Sequence, residues 1–213
     1  MRVGIIGAGA MGRAMARRAA VAGAVVLLAD RGAGRGAGRG AGRARRAARE
    51  AMAGTPGVVV SATTRAALGP GLVFLALDRA ESLELLRRHR RTLTGKVLVE
   101  VTVPRVGPHG TEMGDLMAAA PGARWVRACA AGDAESIYRG LIDGHPVDVF
   151  VAADDDPAKI RVIELTNRSG LRALDAGRLD RARVLDELTS LGREISHRLA
   201  TPEGWAIKLL PSW

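Results

Sequence analysis

The feature that most constrains this chain is a glycine motif that follows a short apolar run near the first residue. Residues 3–6 are long enough for one buried strand. Glycines at positions 7, 9 and 12 follow in Gly-x-Gly-x-x-Gly spacing, and the alanine-rich residues 13–21 favour a helix. A second apolar run, residues 24–29, ends at Asp30. Strand, tight turn, helix and strand in this order are the context in which the motif predicts dinucleotide binding.

The three glycines have different mechanical roles in such a motif. Gly7 permits the tight turn, Gly9 lets a pyrophosphate approach the backbone, and Gly12 allows the helix to pack closely on the strand. Free N–H groups at the helix start then hold the phosphates. The predicted cofactor loop comprises Gly7, Ala8, Gly9, Ala10, Met11 and Gly12. The alternative is a glycine-rich turn in an α/β protein that binds no nucleotide.

The end of the second predicted strand bears on the choice of cofactor. An acidic residue there binds the ribose hydroxyls of NAD, whereas an arginine accommodates the 2′-phosphate of NADP. This chain has Asp30 followed by Arg31, with Arg35 and Arg39 behind them in a repeat of Arg-Gly-Ala-Gly. Because arginine forms strong paired bonds to phosphate, we favour NADP(H). The alternative is that the repeat is a solvated loop and that Asp30 sets the specificity.

A cluster of arginines raises the question of nucleic acid. Seven arginines lie between positions 31 and 49 with no acidic residue among them, and the formal net charge is +10. Basic clusters can bind phosphate backbones, but no base-stacking aromatic residue is interleaved with these arginines. Since the cluster begins where a dinucleotide fold reads the ribose, we expect a nucleotide and not a nucleic acid.

Cysteine usage and hydropathy indicate a cytoplasmic protein. Cys129 is the one cysteine, which excludes an internal disulfide and favours a reducing compartment. No apolar run approaches the roughly 20 residues that span a bilayer, so we expect no membrane partner. The first apolar run is only a strand long before glycines interrupt it, and no signal peptide is expected.

The order of predicted elements indicates an α/β fold. Apolar runs of strand length alternate with helical segments along the whole chain, which favours a mainly parallel sheet with helices on both faces. With right-handed crossovers this becomes a doubly wound Rossmann sheet. We expect a dinucleotide-binding domain over residues 1–150 and a small C-terminal α/β extension over residues 151–213. The glycine-rich residues 31–42 are predicted to be a loop, with helix resuming near Ala44.

The sequence shows no metal-ligand cluster and no nucleophile with an adjacent base. Hydride transfer between two stacked rings needs position and exclusion of water rather than acid–base groups. Reduction of a ketone or imine would instead need a proton donor. Asp78, just past a strand end, is the best placed of five candidates, although it equally suits a helix N-cap. The other four are Cys129, Asp133, Tyr138 and His145.

The C-terminal third carries a resemblance to a known family. Residues 170–179 read Gly-Leu-Arg-Ala-Leu-Asp-Ala-Gly-Arg-Leu, and residues 204–210 read Gly-Trp-Ala-Ile-Lys-Leu-Leu. Together with the start at residues 8–12 and the strand end at residues 29–32, this pattern resembles F420-dependent NADP reductases. The resemblance covers nearly the whole chain, with its two ends more specific than its middle.

This resemblance implies hydride transfer between NADP(H) and coenzyme F420, and a homodimer built on the C-terminal segment. It places Leu77, Asp78 and Thr102 beside the nicotinamide. On the acceptor side it places Pro104, Cys129, Ala130, Ala131 and Trp205. The chain departs from the family at Ala130-Ala131, where a polar residue and a threonine are typical, and at Asp78, where proline is typical.

Because both departures fall on the acceptor side, two alternatives stay open. One is a biosynthetic reductase of a small imine, enone or carbonyl compound that does not use F420. The other is a dinucleotide-binding sensor or partner subunit without catalysis. A dimer is also predicted from apolar residues that one sheet is unable to cover. These are Leu185, Leu188, Leu199, Ile207, Leu209, Leu210 and Trp213.

Overall fold

The computed structural model describes residues 1–30, 39–102, 113–200 and 204–210. Ten strands lie within these ranges: β1 (Arg2–Ile6), β2 (Val25–Ala29), β3 (Val58–Ser61), β4 (Leu72–Leu75), β5 (Val97–Glu100), β6 (Arg124–Ala130), β7 (Leu141–Ile142), β8 (His145–Pro146), β9 (Asp148–Ala153) and β10 (Arg172–Gly177). The helices described are α1 (Ala10–Val21), α2 (Arg39–Met52), α3 (Thr64–Ala67), α4 (Arg79–Leu93), α5 (Met113–Ala119), α6 (Ala134–Arg139), α7 (Asp156–Arg168) and α8 (Ala182–Leu199), with a 3₁₀ turn (Leu179–Arg181) before α8.

Eight of these strands form one sheet in the order β10-β9-β6-β5-β4-β1-β2-β3. From β3 to β6 every neighbouring pair is parallel, which gives the doubly wound order 3-2-1-4-5-6. β9 then pairs antiparallel with β6, and β10 runs parallel to β9. The prediction of a doubly wound, mainly parallel α/β sheet is confirmed.

Apolar side chains alternate between the two faces of the sheet, as the pleat of a strand requires. On β4, Leu72 and Phe74 face one cluster, which α1, α2, α6 and α7 cover. Val73 and Leu75 face the other cluster, which α3, α4, α5 and the start of α8 cover. The parallel strands are therefore buried on both faces, and their carboxyl ends form one open edge.

Helix α2 corrects the prediction that residues 31–42 form a loop, because the helix begins at Arg39 and includes Gly40 and Gly42. Each glycine costs about 1 kcal/mol of helix stability relative to alanine. Tertiary packing offsets this cost, since one face of α2 buries four alanines in the core. They are Ala44, Ala47, Ala48 and Ala51.

The C-terminal part of the chain continues the sheet of the N-terminal part. The predicted boundary between residues 150 and 151 falls inside β9, which pairs with β6. After α8 the chain returns across the end of β6, where Gly132 and Ala206 form an isolated antiparallel bridge. The division into two domains stays a prediction. No helix within the described ranges is both long and apolar enough to cross a membrane.

Candidate functional site

The glycine loop lies between β1 and α1 at the open edge of the sheet, and its glycines differ in surroundings. A Cβ on Gly7, where φ is +109°, would lie 2.2 Å from the Ala76 oxygen. A Cβ on Gly12 would lie 1.7 Å from the Gly7 oxygen, so helix and strand approach as only glycine allows. Gly9, the N-cap of α1, has no atom of the described residues within 4 Å of the same position. The backbone next to Gly9 is therefore open to a ligand.

Asp30, which follows β2, lies beneath this loop and is only 4% exposed. Its Oδ1 accepts a hydrogen bond of 3.3 Å from the Ala8 N–H. Its Oδ2 lies 2.9 Å from Arg43 Nε in an ion pair, without the geometry of a hydrogen bond. Among the described residues, Asp30 Oδ2 is thus a buried oxygen without a hydrogen bond, next to the guanidinium of Arg43 in α2.

A cavity of about 220 Å³ lies between the glycine loop and α2. Besides residues 8–10, its lining includes Arg13, Arg43, Arg46, Ala47 and Glu50. Arg13 Nη1 donates to Glu50 Oε2 over 2.9 Å, which raises the pKa of Arg13 and lowers the pKa of Glu50. The cavity therefore combines open backbone at a helix start with three guanidinium groups, a combination that suits phosphate.

The ends of β4 and β5 meet further along the same edge. Thr102 Oγ1 donates to the Leu77 oxygen over 2.8 Å, so two of the three residues predicted to flank the nicotinamide are in direct contact. Asp78 is the N-cap of α4, and its Oδ1 accepts from the Glu81 N–H over 2.9 Å. The carboxylate of Asp78 thus has the structural role that was the alternative to catalysis, and its role as an acid stays a prediction.

A buried ionic network lies behind Thr102. Arg127 of β6 is 1% exposed and forms ion pairs with Glu100 Oε2 at 2.8 Å and with Asp186 Oδ1 at 2.6 Å. Burial raises the pKa of Glu100, and the charge of Arg127 opposes this effect without cancelling it. Burial likewise raises the pKa of Asp186 against the same opposing charge. Two carboxylates therefore share one guanidinium inside the protein.

The residues predicted for the acceptor side lie at the end of β6. Cys129 faces α8, where its Sγ lies 2.7 Å from Thr189 Oγ1, and burial raises the pKa of the thiol. Ala130 packs on the opposite face of the sheet, because neighbouring strand residues alternate. Ala131 is fully buried, and its oxygen accepts from the Ile207 N–H of the tail over 2.5 Å. Cys129 and Ala130 therefore do not share one surface.

Trp205 belongs to the tail that crosses this strand end. Its oxygen accepts from the Asp133 N–H over 3.2 Å, and its ring lies against Gly192 of α8, where a Cβ would be 2.5 Å from the ring. The tail and the end of β6 are thus brought together, as the prediction requires. Three other predicted residues, Arg31, Arg35 and Pro104, lie outside the described residues.

The remaining candidate proton donors have other roles. Asp133 is the N-cap of α6 and accepts from the Ser136 N–H over 2.8 Å. Tyr138 donates to the backbone oxygen of Glu50 over 2.9 Å, next to the cavity at the glycine loop. His145 lies in the exposed strand β8, which pairs with β7. None of these side chains points to a shared acid–base centre among the described residues.

Sequence reasoning missed Arg43 and the network around Arg127. Arg43 was counted within a basic cluster, and only the fold of α2 brings it to Asp30. Arg127 did carry a signal, because it is a charged residue within a strand that is otherwise apolar between residues 125 and 130. A charge in such a place is rarely buried without a partner, so Arg127 could have been predicted to face carboxylates.

The chain is similar to known oxidoreductases over part of its length. Residues 2–104 match the family described as NADP oxidoreductase, coenzyme F420-dependent. The F420-dependent NADP reductase of Methanocaldococcus jannaschii is 25% identical over 132 residues, which are 56% of this chain. The match spans 59% of the length of that relative.

Two solved structures share the fold. A provisionally assigned F420-dependent NADP reductase from Arthrobacter sp. FB24 superposes with a TM-score of 0.76 and 21% identity, over 99% of this chain and all of the other. An imine reductase from Bacillus cereus has a TM-score of 0.64 and 20% identity, over 93% of this chain and 62% of the other. The resemblance inferred from the sequence is confirmed, because residues 2–104 match the model of the coenzyme F420-dependent NADP oxidoreductase family.

Proposed function

We propose that this protein binds NADP(H) and transfers a hydride between it and a small acceptor such as coenzyme F420. The observation that carries the proposal is the open backbone at Gly9 beside a cavity lined by Arg13, Arg43 and Arg46. A pyrophosphate would meet free N–H groups there, and a 2′-phosphate would meet guanidinium groups. The family match over residues 2–104 supports the same cofactor.

The chain's own residues would bind and orient rather than exchange protons. When bound, NADP(H) supplies the hydride from its nicotinamide. Leu77 and Thr102, joined by their 2.8 Å hydrogen bond, would form the floor of the nicotinamide side. The tail at Trp205 and Ala206 covers the end of β6 and would exclude water from the acceptor side. Such positioning suffices for transfer between two stacked rings.

Reduction of a small imine, enone or carbonyl compound is the second candidate. This candidate is favoured by the alanines at positions 130 and 131, which are apolar and buried. F420-dependent NADP reductases typically carry polar side chains at these two positions. That reaction would need a proton donor, and Asp78 would have to leave its capping bond to Glu81 to supply one. The third candidate, a sensor without catalysis, would bind NADPH tightly and turn over no acceptor.

Binding and turnover measurements separate these functions. NADPH, NADH and F420 are each titrated by calorimetry, and absorbance is followed with F420 and with a panel of cyclic imines and enones. Steady oxidation of NADPH with F420 is the expected result. Oxidation with an imine or enone alone would favour the second candidate, and tight NADPH binding without turnover the third. Absence of NADPH binding would refute the proposal.

We also propose that two copies associate through α8. Its outward face carries a row of apolar residues at helical spacing, of which Leu199 is 68% exposed. The row consists of Val184, Leu188, Leu191, Ile195 and Leu199. An apolar surface of this kind on a long helix commonly marks a two-fold interface. Leu185, expected on this surface from the sequence, is instead buried against Cys129.

A further inference from the structure

The end of β5 is held by a side chain as well as by the sheet. The register between β5 and β6 ends at the pair Glu100 and Arg127, and on the other side of β5 the Val101 N–H donates to the Leu75 oxygen of β4 over 3.2 Å. Arg127 Nη1 donates to the backbone oxygen of Glu100, and Arg127 Nη2 donates to the backbone oxygen of Thr102, each over 2.9 Å. One guanidinium therefore fixes the path of the chain where it leaves the sheet.

Two carboxylates fix the guanidinium in turn. Glu100 Oε2 lies 2.8 Å from Arg127 Nη1. Asp186 Oδ1 accepts from both Nε and Nη2, over 3.0 Å and 2.6 Å. Because Asp186 belongs to α8, this contact ties that helix to the inside of the sheet. Only the planar fork of arginine can serve these acceptors together, since a lysine ammonium is a single point.

The network continues to the nicotinamide side of the proposed site. The Thr102 N–H donates to Glu100 Oε1 over 2.9 Å, and Thr102 Oγ1 donates to the Leu77 oxygen over 2.8 Å. We propose that Arg127 and Asp186 are positioning residues, which set the nicotinamide floor at Leu77 and Thr102 without acting on the adenosine side. This inference rests on the proposed binding of NADP(H).

A purely structural role would make a different prediction. Buried ion pairs frequently add little net stability compared with apolar residues of the same size, so stability alone does not account for three ionisable groups here. If the network only stabilised the fold, its loss would leave the two halves of the cofactor site equally affected. If the network positions Thr102, its removal weakens binding at the nicotinamide half alone.

The test compares two ligands that differ in the nicotinamide riboside. NADPH and 2′-phospho-ADP-ribose are titrated by calorimetry into wild type, Asp186→Ala, Asp186→Asn and Thr102→Val. In Asp186→Ala and Thr102→Val we expect NADPH affinity to fall about three- to tenfold, as for one or two lost hydrogen bonds. Affinity for 2′-phospho-ADP-ribose should stay unchanged. Asp186→Asn keeps an acceptor for Arg127 and should restore most of the NADPH affinity.

A double-mutant cycle and two controls complete the design. The effects of Asp186→Ala and Thr102→Val should be less than additive, because both act on one contact. Arg43→Ala should weaken the binding of both ligands. Arg178→Ala, which removes an exposed ion pair with Asp154, should weaken the binding of neither. The inference is overturned if Asp186→Ala lowers the affinity for both ligands equally. It is also overturned if Thr102→Val leaves the affinity for NADPH unchanged. If wild type binds neither ligand, the proposed function itself has failed.

Discussion

At the scale of single residues, Gly9 and Gly12 differ although both belong to the same motif. Within the part of the chain that the structure describes, no atom lies within 4 Å of a Cβ placed on Gly9. We therefore expect Gly9→Val to fold with nearly unchanged stability and to lose NADPH binding, because its side chain would occupy the space of the pyrophosphate. Circular dichroism and calorimetry measure the two properties. Unchanged NADPH affinity in a folded Gly9→Val protein would exclude the loop as the phosphate site.

Gly12→Val provides the matched comparison. A Cβ at Gly12 would lie 1.7 Å from the Gly7 oxygen, a backbone atom that can move only if α1 separates from β1. We expect this variant to be unfolded or strongly destabilised, as is usual when a core is overpacked. A stable Gly12→Val protein would show that α1 does not pack as described.

Arg43 should determine much of the preference for NADPH over NADH. One charge-assisted hydrogen bond contributes about 1.5–3 kcal/mol, so Arg43→Ala should reduce the ratio of NADPH to NADH affinity about tenfold or more. Arg45→Ala removes the same charge from the exposed side of α2 and is the control. An unchanged ratio in Arg43→Ala would show that Arg43 only balances Asp30.

Arg31 and Arg35 remain predicted partners of the same phosphate. We expect wild type to prefer NADPH at least tenfold, as for one charge-assisted contact, with a preference that shrinks as salt rises. Arg31→Ala should lose most of this preference and Arg35→Ala part of it. Ratios measured at low and high ionic strength test this expectation. Equal use of NADH and NADPH by wild type would instead assign the specificity to Asp30.

Cys129 should be inert in the folded protein. Its side chain is buried between β6 and α8, and burial raises the pKa of the thiol, so little thiolate forms at neutral pH. Alkylation by iodoacetamide should therefore follow unfolding, with the same denaturant midpoint as circular dichroism. Rapid alkylation of the native protein would contradict the packing of α8 on β6.

At the scale of elements, the tail is fixed by a buried carboxylate at the start of β9. Asp148 is fully buried and accepts from Arg172 Nε over 2.7 Å, from Lys208 Nζ over 2.8 Å and from the Leu209 N–H over 2.9 Å. Burial alone would raise the pKa of Asp148, but the bonds from Arg172 and Lys208 outweigh it and lower the pKa.

The tail should therefore detach in acid. A carboxyl whose pKa is lowered by folding contributes stability above its unfolded pKa, about 3.9 for aspartate. That contribution is lost as pH falls through the still lower folded pKa. Urea unfolding from neutral pH to about pH 2 should show this loss in wild type, and Asp148→Asn should remove that part of the pH dependence. Asp180→Asn, at an exposed site, should keep the wild-type profile.

At the scale of the whole molecule, association should depend on the apolar face of α8. The double variant Leu191→Asp, Ile195→Asp places charges in the middle of the exposed row and should convert a dimer into a folded monomer. Ile160→Asp, on an equally exposed apolar residue of α7, should leave the dimer intact. Light scattering at micromolar concentration measures both, and monomeric wild type would refute the proposed dimer.

The strand and helix order was accessible from sequence because local rules specify it. Runs of three to seven mostly apolar residues between turn signals predicted all eight strands of the large sheet. At the start of α7, Asp155 caps the first turn and Pro157 has a fixed φ, and both are signals that a sequence carries locally. The start of α2 was wrong by five residues, because burial of its alanines overrides the weak helix propensity of glycine.

What the sequence determined by itself was the glycine loop, the doubly wound sheet and the resemblance to F420-dependent NADP reductases, since motifs, spacing and periodicity are properties of neighbouring residues. Tertiary structure alone decided that Arg43 meets Asp30 across 13 positions and that Arg127 meets Asp186 across 59. It also decided that Cys129 faces α8 while Ala130 faces away. Contacts between side chains distant in sequence depend on how helices pack on the sheet, and no local pattern encodes that packing.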